Sequence, residues 1–324
     1  MLINIKISFA RRLYLWDNCL VKKNTFIPVV NICFPKHWDD YALLDSGSGR
    51  KLERCGSYVL IRPEAEAVWK PTLPDSEWQK AAAEFLPSAE ENGGHWNIRR
   101  YLPSEWNLQY RDLFFKVQLS GSRHIGLFPE QAVQWDWITQ LIKKSPRPLK
   151  VLNLFGYTGL ATIAAAKAGA SVTHVDASRK AITWAHQNQD LSNLSDRPIR
   201  WIVDDAIKFI HRQARREEKF DGLILDPPKF GRGPKGEVWE FYKLLPELLQ
   251  ACRESLTPEP VFVALTAYAV KASSITLAQS LDQIMDGLGG SITSGELALK
   301  EEAGGRLLST AVFSLWSNQP VEIE

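Results

Sequence analysis

From Leu149 onward the chain alternates between two hydrophobic patterns. Continuous apolar runs lie at 149–155, 171–175, 199–203, 221–226 and 260–267. Each is followed by a stretch with apolar residues at helical spacing, at 159–168, 178–190, 205–218, 237–256 and 272–287. Short runs without polar alternation read as strands buried on both faces. Their alternation with helices predicts a parallel sheet covered on both sides, with right-handed crossovers. Two last strands, near 291–299 and 306–316, flank Gly304 and Gly305, and so short a turn predicts an antiparallel pair at one edge. The expected fold class is α/β, a doubly wound, mostly parallel seven-stranded sheet with a smaller β-rich N-terminal domain.

That smaller domain is expected over residues 39–119. Tyr41–Arg50 contains a glycine turn, Tyr58–Arg62 reads as a short strand, and Trp106–Leu119 contains a turn followed by alternating residues. Trp69, Trp78, Trp96 and Trp106 fall in this region. Such rings can stack on the bases of single-stranded nucleic acid, but packing in a small core is the reading favoured here. Residues 120–148 form a connecting segment and a helix carrying Val133, Trp137, Leu141 and Ile142, broken by Ser145–Pro148. The large domain is expected over 149–317.

Residues 1–38 differ in texture, with no sustained period and six basic side chains against Asp17 alone. That balance of +5 leaves −3 on the rest of a chain whose net charge is +2. Three readings compete for this segment: a basic tail, a targeting peptide, or a start codon placed too far upstream. It lacks the serine-rich amphipathic helix of a targeting peptide, so an appendage without catalytic importance is expected. The nearly neutral main body does not by itself announce a nucleic-acid partner, which would need a local basic patch. Cys19, Cys33, Cys55 and Cys252 are scattered, which favours separate reduced thiols over a disulfide framework or a metal site. No apolar run is long enough to span a membrane, and nothing in the sequence speaks to oligomeric state.

The candidate chemistry lies at the ends of the predicted strands. Gly156-Tyr-Thr-Gly159 turns the first strand into a helix. The absence of a Cβ permits a sharp turn and close ligand approach, though a strand-to-helix turn often needs glycine for structural reasons alone. The dinucleotide fingerprint needs an earlier glycine where this chain has Leu154, so a ligand without a pyrophosphate fits better. Asp176 ends the second strand, seventeen residues after Gly159, where a carboxylate can accept from both ribose hydroxyls or cap the next helix. Asp205, in Asp204-Asp205-Ala206, could hold an adenine amino group, cap a helix, or do both. Asp226-Pro-Pro-Lys-Phe230 makes a stiff loop whose carbonyls are expected to lack local partners. Such a loop suits gripping a nucleobase edge, with Phe230 available for stacking. Lys229 reads as a solvated cation or a phosphate contact. Gathered at one rim of a parallel sheet, these groups predict a nucleoside cofactor.

Asn153-Leu-Phe-Gly-Tyr-Thr-Gly159 and Asp226-Pro-Pro-Lys-Phe230 resemble the class I S-adenosylmethionine-dependent methyltransferases, with their Rossmann-like fold. Within that class the chain is similar to the bacterial 23S ribosomal RNA (cytosine-C5) methyltransferase group, over residues 120–317. Residues 39–119 look like the small N-terminal domain of a bacterial branch of that group. The resemblance implies S-adenosyl-L-methionine as cofactor and a base of ribosomal RNA as substrate, in the cytoplasm, with no metal. It implies that Asn153, Phe155, Gly156, Tyr157 and Gly159 line the methionine and ribose. Asp176 would hold the ribose hydroxyls, with Ala177 beside the adenine, and Asp205 and Ala206 would meet the adenine edge. Asp226 would touch both cofactor and substrate, and Asp226, Pro227 and Lys229 form the expected catalytic group. Phe128 to Gln131 would pack over the cofactor.

Two departures stand out. The cytosine-C5 members carry a nucleophilic cysteine in a Thr-Cys-Ser motif at the end of the fifth strand, where this chain has Leu265-Thr-Ala-Tyr-Ala269. Cys252, among Leu248, Leu249 and Leu256, reads as a core residue. The N-terminal RNA-binding module of many relatives is also missing. Nitrogen methylation needs no covalent adduct and rests mainly on positioning, with Asp226 able to take the proton, although amino-methyltransferases often carry an aromatic where this chain has Lys229. The sequence therefore points to a methyltransferase acting on RNA. Its rivals are a methyltransferase for a protein or small molecule and a non-catalytic cofactor-binding scaffold.

Overall fold

A computed structural model of the chain describes residues 27–88 and 93–323. The first strand is β1 (Val30–Cys33). The N-terminal part continues with β2 (Tyr41–Gly47), β3 (Arg50–Cys55), β4 (Tyr58–Pro63), α1 (Asp75–Trp78), β5 (Ala83–Pro87), β6 (Gly94–Ile98), β7 (Glu105–Tyr110) and β8 (Leu113–Gln118). Helix α2 (Ala132–Lys144) leads into the large sheet. There follow β9 (Lys150–Leu154), α3 (Leu160–Lys167), β10 (Ser171–Asp176), α4 (Arg179–Leu191), β11 (Ile199–Val203), α5 (Ala206–Arg215) and β12 (Gly222–Leu225). A ribbon of β13 (Phe230–Arg232) and β14 (Val238–Glu240) precedes α6 (Phe241–Glu254), β15 (Phe262–Ala267), α7 (Ser274–Met285), β16 (Ser291–Lys300) and β17 (Leu307–Ser317).

The large sheet runs β1-β16-β17-β15-β12-β9-β10-β11. Every pairing is parallel except those of β17 with β15 and β16. The seven expected strands are all present. Strand β12 is buried throughout, as are all six residues of β15, which is why their sequences show no polar alternation. Burying each Leu, Ile or Val of such strands contributes about 1.5–3 kcal/mol. Helices begin where side chains satisfy their first amides: Ser178 caps α4, Asp205 caps α5 and Ser273 caps α7.

The eighth strand corrects the reading of residues 1–38. Val30–Cys33 is no appendage; it pairs in parallel with Ser294–Leu297 and covers the edge that the β16–β17 hairpin was expected to leave. Asn31 Nδ2 donates to the Ser294 carbonyl at 3.0 Å. A Cβ at position 295 would collide with the Asn31 backbone, so glycine there is what lets the strand approach. Val30 and Ile32 are exposed while Cys33 is buried, and so short an edge strand leaves no readable period. Residues 1–26 lie outside the described residues.

Strands β2 to β6 form one small sheet and β7–β8 a hairpin, giving the expected β-rich character. The four tryptophans are structural here. Trp78 is buried, and their indole N–H groups donate to Ser46, Asp45, the Ser120 carbonyl and the Cys55 carbonyl respectively. The small sheet docks on the large one through a shared apolar cluster that joins Leu43, Leu60 and Phe115 to Leu160, Ile163 and Leu299. Arg306 adds a polar tie, donating to Glu301 at 2.8 Å and to Asp45 at 3.3 Å.

Candidate active site

The carboxyl ends of β9, β10 and β12 meet at one rim, with the segment before α2 packed across them. The loop after β9 carries three residues in the left-handed region: Phe155 (φ 59°), Tyr157 (φ 50°) and Gly159 (φ 80°). Two of the three are not glycine, so the loop is held in a costly shape by its surroundings. Asp176 is one such hold. Its Oδ2 accepts from the Tyr157 amide at 2.9 Å and its Oδ1 from the Ser178 amide at 2.8 Å. Burial raises its pKa, partly offset by those two amides. Each carboxylate oxygen retains a further lone pair.

Gly156 turns out to serve packing. A Cβ there would collide with the imidazole of His174, buried directly beneath. His174 Nδ1 meets Thr162 Oγ1 at 2.9 Å, and Thr162 in turn accepts from Asn153 Nδ2 at 2.9 Å. Burial holds the imidazole pKa down at about 3, so the ring is neutral. This buried chain from Asn153 to His174 is a floor for the loop that sequence reading did not anticipate. Its one advance signal is a histidine inside an otherwise apolar strand.

Across the rim, Asp226 Oδ2 accepts from Gln131 Nε2 at 2.7 Å. Burial raises the Asp226 pKa to about 7, with the Gln131 hydrogen bond opposing and the charges of Glu130 and Asp176 adding. Glu130 is itself buried, and burial raises its pKa too. The phenol of Tyr268 is pushed far up by burial beside Glu130 and Asp226, and its ring packs on Phe128 at 4.9 Å. Glu130 and Tyr268 are thus neighbours of Asp226 that the motifs did not single out. The loop after Asp226 also differs from expectation: two of its carbonyls have partners. Pro228 O accepts from the Trp239 indole at 2.5 Å, and Lys229 O from the Phe241 amide at 3.1 Å. The unforeseen β13–β14 ribbon supplies Trp239 and ends against Phe241.

A single cleft is lined by Asn153, Phe155, Gly156 and Tyr157 on one side and Gln131, Gln134, Asp226 and Thr266 on the other. Gly159, Asp176, Ala177, Asp205, Ala206 and Pro227 do not line it. Asp176 touches it through the Tyr157 amide, and the Asp176 carbonyl accepts from the Asp204 amide at 3.2 Å. Asp205 Oδ1 caps α5 at Lys208 N, 2.9 Å away. Lys229 is exposed outside the cleft. Cys33, Cys55 and Cys252 are buried free thiols away from it, and burial pushes Cys252 above the range of any useful thiolate.

A strained glycine loop, a carboxylate at the end of the second strand and an acidic proline loop after the fourth define a nucleoside-cofactor site on a doubly wound sheet. The family of S-adenosylmethionine-dependent methyltransferases matches residues 93–273, and the chain belongs to it. The SAM-dependent methyltransferase from Agrobacterium tumefaciens, known from its crystal structure, is 45% identical and superposes with a TM-score of 0.85, over 90% of this chain and 94% of that one. Ribosomal RNA large subunit methyltransferase K/L of Shewanella oneidensis is 35% identical over 124 residues, or 38% of this chain and 16% of that protein. The protein of the same name from Pseudoalteromonas translucida is 29% identical over 158 residues, or 48% of this chain and 20% of that protein. The match therefore spans a fifth or less of the length of these two relatives. The chain is an S-adenosylmethionine-dependent methyltransferase.

Proposed function

We propose that this enzyme methylates a nitrogen of a base in ribosomal RNA, with Asp226 accepting the proton. The observation that carries the reading is the Asp226 carboxyl. It stands on the cleft opposite the glycine loop, fixed by Gln131, with a pKa of about 7. A base poised near working pH is suited to taking a proton from an amine as the new bond forms. The ribosomal RNA substrate is drawn from the named activity of the Shewanella and Pseudoalteromonas relatives. Nitrogen is favoured over carbon because none of the three described cysteines lines the cleft, and carbon methylation through a covalent adduct needs a thiolate there.

The residues present suit S-adenosylmethionine. Gln134 Nε2 is a buried donor without a partner in a side chain that lines the cleft, matching the need of a carboxylate tail. Leu154, fully buried, stands where a pyrophosphate site would need glycine. Asp176 and Ala177 would hold the ribose and flank the adenine, Asp205 and Ala206 would meet the adenine edge, and Asn153, Phe155, Gly156, Tyr157 and Gly159 would shape the methionine side. When bound, the cofactor supplies an electrophilic methyl group. Asp226 and Pro227 orient the accepting nitrogen towards it, and Phe128 and Tyr268 help exclude water. Lys229, exposed outside the cleft, is placed to meet a phosphate rather than the reacting atoms. An RNA substrate assigns the enzyme to the cytoplasm; among the described residues no helix is long and apolar enough to cross a membrane.

The test is mass spectrometry of ribosomal RNA nucleosides from cells with and without the gene. Loss of one N-methylated nucleoside is expected. An unchanged profile would remove RNA as the substrate, and loss of a C-methylated nucleoside would overturn the choice of atom.

A further inference from the structure

The β13–β14 ribbon begins four residues after Asp226, and its two faces differ in kind. In its register Phe230 pairs with Glu240, Gly231 with Trp239, and Arg232 with Val238. Paired residues share a face and successive residues alternate. Gly231 and Trp239 therefore face inwards, while Phe230, Arg232, Val238 and Glu240 face outwards.

The inner face is pinned. Trp239 is 4% exposed, packs on Phe155 of the glycine loop at 4.9 Å and donates to Pro228 O. Glu237 fixes the turn by accepting from the Lys235 amide at 2.8 Å and from Lys208 Nζ of α5 at 2.5 Å. The ribbon thus presents its outer face in a set position over the rim.

That outer face is apolar and cationic at once. Phe230 is 63% exposed, Val238 53%, and Tyr242 just beyond the ribbon 56%. Among the described residues, exposed Arg232 and Lys235 have no carboxylate within salt-bridge distance, whereas Lys208 beneath them is paired. A ribbon serving only to brace the loop has no use for an exposed phenylalanine flanked by unpaired cations. Aromatic rings for bases and cations for the backbone are what a single-stranded polyanion requires.

We propose that the outer face of this ribbon is the docking surface for single-stranded RNA on either side of the target nucleotide. Phe230 stacks on a neighbouring base, and Arg232 and Lys235 contact its phosphates. The inference rests on the RNA reading above and extends it to a surface outside the cofactor cleft. It also supplies the local basic patch that the chain's small net charge of +2 does not reveal.

The test measures binding of a short fluorescein-labelled single-stranded RNA of mixed sequence to the whole protein, by anisotropy, across a salt series. Arg232→Glu with Lys235→Glu is expected to weaken binding at least tenfold and to reduce the salt slope by about two, one for each lost phosphate contact. Phe230→Ala is expected to weaken binding severalfold with the salt slope unchanged. S-adenosylhomocysteine affinity by calorimetry and the melting temperature should match wild type in both variants, showing that the fold and cleft persist. Wild-type binding with equally tight binding by the variants would overturn the ribbon while leaving the RNA reading intact. Absence of RNA binding by the wild type would overturn both.

Discussion

Gln131 Nε2 lies 2.7 Å from Asp226 Oδ2, joining the turn before α2 to the loop after β12 across 95 residues of sequence. The contact holds the one carboxyl that the cleft raises to about 7. Burial is the main cause, and the charge of Glu130 adds to it. The amide opposes the shift by stabilising the ionised form, so Gln131 tunes the acid as well as aiming it.

Two outcomes follow for Asp226. As proton acceptor it must be ionised, so kcat/KM should rise with pH up to about 7 and then level. Asp226→Asn should lower methyl transfer by about 10²-fold or more and abolish that rise, with calorimetric affinity for S-adenosylhomocysteine nearly unchanged. Stability should move the other way. A raised folded-state pKa stabilises the protein below the ordinary carboxylate range, and that stabilisation is lost as pH rises through about 7. The asparagine variant should therefore melt higher than wild type at pH 8 and not at pH 4. A flat pH–rate profile would remove Asp226 as the base.

Asp176 has a structural duty beside the proposed ribose contact, because its two oxygens accept the Tyr157 and Ser178 amides. Asp176→Ala should leave both amides without acceptors, costing about 1–3 kcal/mol of stability, and should weaken S-adenosylmethionine binding at least tenfold. Asp176→Asn, which keeps one acceptor oxygen, should fall between. Calorimetry and thermal melting separate the duties. A destabilised Asp176→Ala protein with wild-type affinity would make the carboxylate a loop brace only.

The large sheet was legible because its central strands are buried on both faces and its helices cover it, a pattern that hydrophobic runs report directly. Asp176 and Asp226 were legible because they end such runs. What escaped the sequence depends on pairing across long separations. β1 is held by Gly295, more than 260 residues away, and its exposed Val30 and Ile32 mimic an unstructured segment. The ribbon owes its place to Trp239 docking on Phe155, and nothing local to Val238–Glu240 announces a strand. Gly156 was read as room for a ligand, whereas His174 fills the space where its Cβ would be. Glycine reports that something is close, not what it is.

The small domain holds a buried ion pair that should govern acid stability. Arg62 donates to both oxygens of Glu53 at 2.7 and 2.8 Å, and Tyr41 Oη donates to Oε1 at 2.6 Å. Burial alone would raise the Glu53 pKa, but Arg62 and Lys51 outweigh it and hold the carboxyl down at about 2. A depressed carboxyl stabilises fully above the ordinary carboxylate range and loses that contribution as pH falls towards 2. Glu53→Gln should cost about 3–5 kcal/mol at pH 7, since it leaves Arg62 buried and unpaired. The deficit should shrink on acidification from pH 4.5 to 2. A pH-independent deficit in chemical denaturation would mean that packing, not charge, is lost.

Strand β1 sets a limit on how far the N-terminus can be trimmed. A protein beginning at Ile27 keeps β1, whereas one beginning at Pro35 loses four parallel pairings and buried Cys33, and bares the β16 edge. The shorter protein should melt several degrees lower and associate on size-exclusion chromatography, because an uncovered edge strand templates pairing between molecules. Trp38 calibrates the size of the effect. It donates to Gln109 O at 2.7 Å and packs on Tyr41, Tyr110, Phe115 and Trp135. Trp38→Ala should therefore cost about 3–5 kcal/mol. Equal melting temperatures for the two truncated proteins would show that β1 contributes nothing to the sheet it borders, and would return residues 27–34 to the status of an appendage.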